Sequence, residues 1–228
     1  MRNILRASVF AAALAVPAPA DVQTLEKILK RMDEAAETFR GISARLKRIT
    51  HTAVINDDSE ENGSIWIKRS KNRDMRMLIQ FTKPDPKSVA FRDRKVEIYY
   101  PNIKTVQEID LGKHSQLVDQ FLLLGFGMPG KEVAKNYSLK YLGPDKVAGQ
   151  SAARLELIPK SPQAREHLTK VELWISETSG QPVQQKFYLP SGDYNVITFI
   201  DAKIEPSLPD DAVRIRLPRG VKREYPQK

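Results

Sequence analysis

Gly63-Ser64-Ile65-Trp66-Ile67-Lys68-Arg69 opens, and Ile98-Tyr99-Tyr100-Pro101-Asn102 closes, the stretch on which the fold turns. Side chains alternate sides along a strand, so Arg69, Ile67 and Ile65 share one direction while Trp66 and Lys68 take the other. On the following strand Met77, Ile79 and Phe81 form one face, and Arg76, Leu78, Gln80 and Thr82 the opposite one. Either face can carry a helix or a ligand.

The same period of two extends outward in both directions. Ser43 to Ile55, Ser64 to Ser70, Arg73 to Thr82, Ser88 to Arg92, Lys95 to Tyr100 and Thr105 to Leu111 read as six strands. Between them stand Asn56-Asp57-Asp58 through Asn62-Gly63, Lys71-Asn72, Pro84-Asp85-Pro86, Asp93-Arg94 and Pro101-Asn102, links short enough to favour antiparallel pairing. A second run follows: Tyr137 to Tyr141, Ser151 to Ile158, Thr169 to Ser176, Val183 to Tyr188, Asn195 to Glu205 and Val213 to Leu217. The expected fold is mainly β with helices (α+β), an unclosed antiparallel β-barrel of about eleven to twelve strands wrapped on an amphipathic helix.

That helix is read at Val22 to Gly41. Leu25, Ile28, Leu29, Met32, Ala35, Ala36 and Phe39 recur at spacings of three and four, with charged residues between them and Gly41 as the stop. Ahead of it, Arg2 and Arg6 precede an uncharged run from Ala7 to Val16 and then Ala18-Pro19-Ala20, the order of a secretory signal peptide. Cleavage after Ala20 would remove 20 of the 228 residues and leave 21–228 as a single exported, periplasmic domain. The chain has no Cys, hence no lipobox thiol for an acyl anchor and no disulfide framework. Its net charge of +9 is spread along the sequence, and export makes nucleic acid the least fitting partner.

The segment His114 to Asn136 interrupts the strands. Gln116 to Leu124, with Leu117, Phe121, Leu122 and Leu124, suits a short apolar helix, and Gly125-Phe126-Gly127-Met128-Pro129-Gly130 a hinge-like break. Such a helix either covers the mouth of the sheet as a lid or plugs its end as core.

Catalytic patterns are missing. His51, His114 and His167 stand apart, without metal-ligand spacing and without a Gly-x-Ser-x-Gly elbow to serve. Asp57, Asp58, Glu60 and Glu61 lack the order of a calcium loop and read as a solvated hairpin loop. Gly125-x-Gly-x-x-Gly130 matches a dinucleotide fingerprint formally, yet it contains Pro129 and follows no strand of a parallel βαβ unit. No enzyme, metal or cofactor is expected.

Taken in order, the Trp66-x-Lys68-Arg69 strand, Gln80-Phe81-Thr82-Lys83-Pro84, the Asp93-Arg94-Lys95 hairpin and Ile98 to Asn102 resemble the periplasmic outer-membrane lipoprotein carrier family, LolA. The resemblance continues through Leu157-Ile158-Pro159-Lys160, Leu173-Trp174-Ile175, Gly180-Gln181-Pro182 and Leu217-Pro218-Arg219-Gly220-Val221. Ser70 to Arg76 is longer and more basic than the family's link, and Ile79 stands where an aromatic is often seen.

What the resemblance implies is an unclosed antiparallel barrel with a helical lid, whose apolar cavity takes the acyl chains of lipoproteins. The partners it implies are an inner-membrane release transporter and an outer-membrane receptor, for a monomeric carrier without catalysis. It implies that Arg69 points inward and latches the lid formed by Leu117, Phe121, Leu122 and Leu124. It further implies that Ile65, Ile67, Met77, Ile79 and Phe81 line the cavity, ordinary core being the alternative. A carrier of free lipid or glycolipid, or a sensor of envelope stress with the same fold, is the alternative function.

Overall fold

The computed structural model describes residues 19–70, 74–112 and 123–226. Three helices lie among them: α1 (Pro19–Thr38), α2 (Gly130–Asn136) and the single turn α3 (Pro162–Arg165). The twelve strands are β1 (Gly41–Thr52), β2 (Asp57–Arg69), β3 (Met75–Lys83), β4 (Lys87–Arg92), β5 (Lys95–Tyr100) and β6 (Thr105–Asp110), then β7 (Tyr137–Val147), β8 (Gln150–Pro159), β9 (Lys170–Ser176), β10 (Pro182–Tyr188), β11 (Tyr194–Ile204) and β12 (Lys222–Glu224).

They form one sheet in the order β12-β6-β5-β4-β3-β2-β1-β11-β10-β9-β8-β7. Each run of strands is a meander, and the two are joined where β1 pairs with β11. The first and last strands of that order do not pair, so the sheet is open, as expected. One departure is β12, which lies parallel to β6 instead of antiparallel.

Three boundaries differ from the sequence expectation. α1 ends at Thr38, and Gly41 does not cap it: this residue is the first of β1, wedged between the backbones of Ile67 and Glu205. The acidic run is not a loop. Asp57 to Glu61 already belongs to β2, because its partner strand is basic: Lys47 meets Glu60 at 2.8 Å, His51 meets Asp58 at 2.7 Å, and Arg48 bonds Glu61. Opposite charges facing across strands stabilise a pairing that polar composition alone argues against.

Val213 to Leu217 is not a strand either. A 3₁₀ turn at Asp210–Val213 packs on the outside of β2 and β3, and the chain continues to β12 at the far edge. Lys68 and Arg76 hold Asp210 from the sheet, Lys68 at 2.5 Å. Leu78, Ala90, Tyr99 and Val106 are buried on this outer face. The alternation of Val213, Ile215 and Leu217 therefore reflects one-sided burial against a sheet, which needs no ladder of hydrogen bonds.

Two apolar cores lie on the inner face. The first holds Phe39 with Ile42, Leu46, Phe91 and Phe199; the second holds Ile28 and Met32 with Val133, Leu155, Leu157 and Leu173. The inner stripe of α1 thus packs mainly on the second run of strands, and the chain leaving it reaches the first. At about 25 cal/mol per Å² of apolar surface, such burial dominates the stability of a sheet that cannot close on itself.

Candidate functional site

Ile65 on β2 pairs with Ala44 on one side and Ile79 on the other, and Ile67 likewise with Ile42 and Met77. Phe81 faces Gly63, where the ladder shifts register. No Cβ fits at Gly63, since it would stand 2.1 Å from the Gln80 carbonyl oxygen. Ile65, Ile67, Met77, Ile79 and Phe81 are all buried in the first core, together with Leu123, Phe126 and Phe39. Alternation brings these five to the inner face; two residues of the interrupting segment then cover them.

Arg69 ends the row on β2. Its backbone N–H donates to the Arg40 carbonyl at 2.8 Å, which fixes the strand end against the exit of α1. Its Nη1 donates to the Ala36 carbonyl at 2.8 Å, its Nη2 donates to the Gly127 carbonyl, and its guanidinium lies 5.5 Å from the centre of the Phe39 ring. Carbonyls in the last turn of a helix lack intrahelical partners and carry its negative dipole end, so a cation is well placed at Ala36. Gly127 has φ +58, a left-handed conformation, and the space a Cβ would need is taken by Phe39 and Arg69.

Of the expected lid residues, Leu124 is fully buried, in the second core rather than the first. Leu117, Phe121 and Leu122 lie outside the described residues, as do residues 1–18, the basic link at 71–73 and His114. Gln185 escaped the sequence reading. It is buried and donates from Nε2 to the Leu124 carbonyl at 2.6 Å, so the segment 123–127 is tied to both halves of the sheet, by Arg69 and by Gln185. An amide at an inward position beside Leu173 was the available signal.

At the other end of β2 the inner face becomes charged. Arg48 and Lys87 both pair with Glu61, Lys87 at 2.6 Å, and both cations lie over the Phe81 ring, at 4.8 and 5.2 Å from its centre. Partial burial pushes the Glu61 carboxyl up, but the Lys87 hydrogen bond and the Arg48 charge together hold it below its ordinary value. Among the described residues no three potential ligands converge on a metal site, and His51 is occupied by Asp58 and by stacking on Tyr194 at 4.5 Å. No described helix is long and apolar enough to cross a membrane.

No family profile and no curated protein matches the chain. Among solved structures it is similar to MucB, with 17% identity over 85% of this chain and a TM-score of 0.54; the match spans 63% of the MucB chain. An uncharacterized conserved protein from Thermus thermophilus matches with 13% identity, 89% of this chain, 99% of that one and a TM-score of 0.54. The LolA superfamily protein NE2245 from Nitrosomonas europaea matches with 15% identity over 84% of this chain and 97% of that one, at a TM-score of 0.40. At such identities the likeness is one of fold. With MucB and the Thermus protein the chain shares an architecture, an open antiparallel sheet wrapped on one long helix, which is the fold that its alternation and motifs led us to expect.

Proposed function

We propose that the protein is an exported, non-catalytic periplasmic carrier that shields the acyl chains of lipoproteins against the inner face of its open sheet. In this reading it moves them from an inner-membrane release transporter to an outer-membrane receptor. The observation that carries the reading is the pair of bonds from Arg69 to Ala36 and Gly127. A half-buried cation on main-chain carbonyls of two separate segments is a closure that can be exchanged for ligand contacts. Each CH₂ buried is worth about 0.8 kcal/mol, so a single acyl chain offsets the loss of a few hydrogen bonds.

Ile65, Ile67, Met77, Ile79 and Phe81 supply the wall in this reading, and Leu123 and Phe126 the cover that an acyl chain displaces. Met77 adapts to chains of different shape. The alternative, a binder of free lipid or glycolipid, is favoured by one observation, the cationic pair Arg48 and Lys87 at the charged end of the same face.

Spheroplasts whose inner membrane holds a labelled lipoprotein test the proposal. Added purified protein is expected to bring the label into the soluble fraction as a one-to-one complex. Release no greater than with buffer would overturn it.

A further inference from the structure

Along β2 the inward positions run Glu61, Gly63, Ile65, Ile67, Arg69: charged at both ends and apolar between. From Glu61 to Arg69 the eight steps of strand span about 26 Å. One leaflet's share of a bilayer core about 30 Å thick is about half of that thickness, so an acyl chain is short enough to lie between the two ends once Leu123 and Phe126 give way.

The two ends are not alike. At Arg69 the cation is spent on two carbonyls. At the other end one carboxylate is shared by two cations, which leaves a formal charge of +1, and Arg48 Nε, itself buried, has no hydrogen-bond partner among the described residues. Among those residues neither Arg48 nor Lys87 pairs with another carboxylate. Two cations around one aromatic ring and one carboxylate, one of them with an unused N–H, make a site for an anionic oxygen.

The surroundings point to a lipid as the bearer of that oxygen. The antiparallel order brings the β1–β2 turn and the β5–β6 link to this same end, and there Val54 is 89% exposed and Ile55 and Ile103 are each 67% exposed. Exposed aliphatic tips at the end of the sheet that carries the cationic site suit a membrane surface, whereas a soluble anion needs none of them.

The geometry points to a headgroup site: Arg48 and Lys87 receive the phosphate or carboxylate of an anionic lipid whose acyl chain lies along Ile65 and Ile67 toward Arg69. This rests on the acyl-binding inner face and on the alternative reading above, a binder of free lipid, and names the class of that lipid. Glu61 holds the two cations in place and is partly displaced by the headgroup.

Calorimetric titration of the purified protein compares two lipids with one palmitoyl chain each, anionic lysophosphatidylglycerol and neutral monopalmitoylglycerol, with glycerol phosphate as a third ligand. The anionic lipid is expected to bind at least about tenfold tighter than the neutral one. Arg48→Gln or Lys87→Gln should cut that preference to about threefold or less and leave the neutral lipid unchanged, while Glu61→Gln should raise it. The gain in Glu61→Gln provides a readout that misfolding cannot imitate. Equal binding of both lipids by the unaltered protein, or a preference indifferent to all three substitutions, overturns the headgroup site alone. Glycerol phosphate binding as tightly as the anionic lipid makes it a free-anion site and overturns the assignment to lipid. Binding of neither lipid removes the acyl-binding reading, and this inference with it.

Discussion

The Nη2 of Arg69 donates to the carbonyl oxygen of Gly127, joining the end of β2 to the segment that covers the inner face. The contact depends on glycine: a Cβ at position 127 would stand 2.7 Å from Arg69 Nη2 and 2.6 Å from Phe39 Cδ1, at a φ of +58. The contact is therefore encoded in two residues far apart in sequence, one supplying the charge and the other the room for it.

Arg69→Leu removes a charged donor from two carbonyls and should lower stability by about 2–4 kcal/mol in urea denaturation. In hydrogen exchange, the Phe126 amide, which donates to the Leu123 carbonyl at 2.9 Å, should lose protection well before the strand amides of β2 do. Unchanged protection at Phe126 would mean that the segment is held without Arg69.

Gly63→Ala should cost more than 2 kcal/mol or so, as a Cβ there meets the Gln80 backbone at 2.1 Å and neither strand can retreat without breaking the ladder. A thermal midpoint within a degree or two of the unaltered protein would contradict the close approach.

Glu172 sits buried on the outer face between Arg154 at 2.6 Å, Lys170 at 3.1 Å and the Tyr188 hydroxyl at 3.0 Å. Burial pushes its carboxyl up, yet the hydrogen bonds from Arg154, Lys170 and Tyr188 outweigh it and hold the group below its ordinary 4.5. The unfolded chain takes up this proton first as pH falls. The contribution of Glu172 is thus complete above about pH 4.5 and is lost progressively below it, down through the folded value. Urea midpoints measured between pH 7 and pH 3 should fall less steeply in Glu172→Gln than in the unaltered protein. Glu172→Leu, which takes from Arg154 its carboxylate and leaves Lys170 only Glu156 at 3.3 Å, should cost about 3 kcal/mol at pH 7.

Tyr137 gives the opposite sign. Its hydroxyl is buried without a hydrogen-bond partner among the described residues, and burial pushes its pKa up to about 12. Tyr137→Phe removes an unpaired polar atom and keeps the ring, so it should leave stability unchanged or raise it by up to about 1 kcal/mol. A loss of more than that would reveal a partner for the hydroxyl.

Much of the fold was legible because alternation is a local signal. β5 runs over the expected Lys95 to Tyr100, and the inward row Ile65, Ile67, Met77, Ile79 and Phe81 follows from period two. The same signal misled at Val213 to Leu217, where one-sided burial occurs without strand pairing. Asp57 to Glu61 was misread for a different cause: its strand character resides in Lys47, Arg48 and His51, and composition read along one segment does not include its partner. Arg69 could be singled out as an inward cation, but Ala36 and Gly127 accept through main-chain oxygens, which every residue possesses and no side chain announces. Gln185 is the converse, a polar side chain whose inward direction depends on a shift of register at the start of β10.

The unpaired edges β7 and β12 have one more consequence. A closed barrel has its radius set by strand number and stagger, and it holds the same volume whether full or empty. A sheet whose ends never meet has no fixed circumference, so it can uncurl about the β1–β11 seam by small changes of twist spread over many strands, without giving up a single ladder. In the carrier reading we propose, its capacity is then decided by the load instead of by the wall.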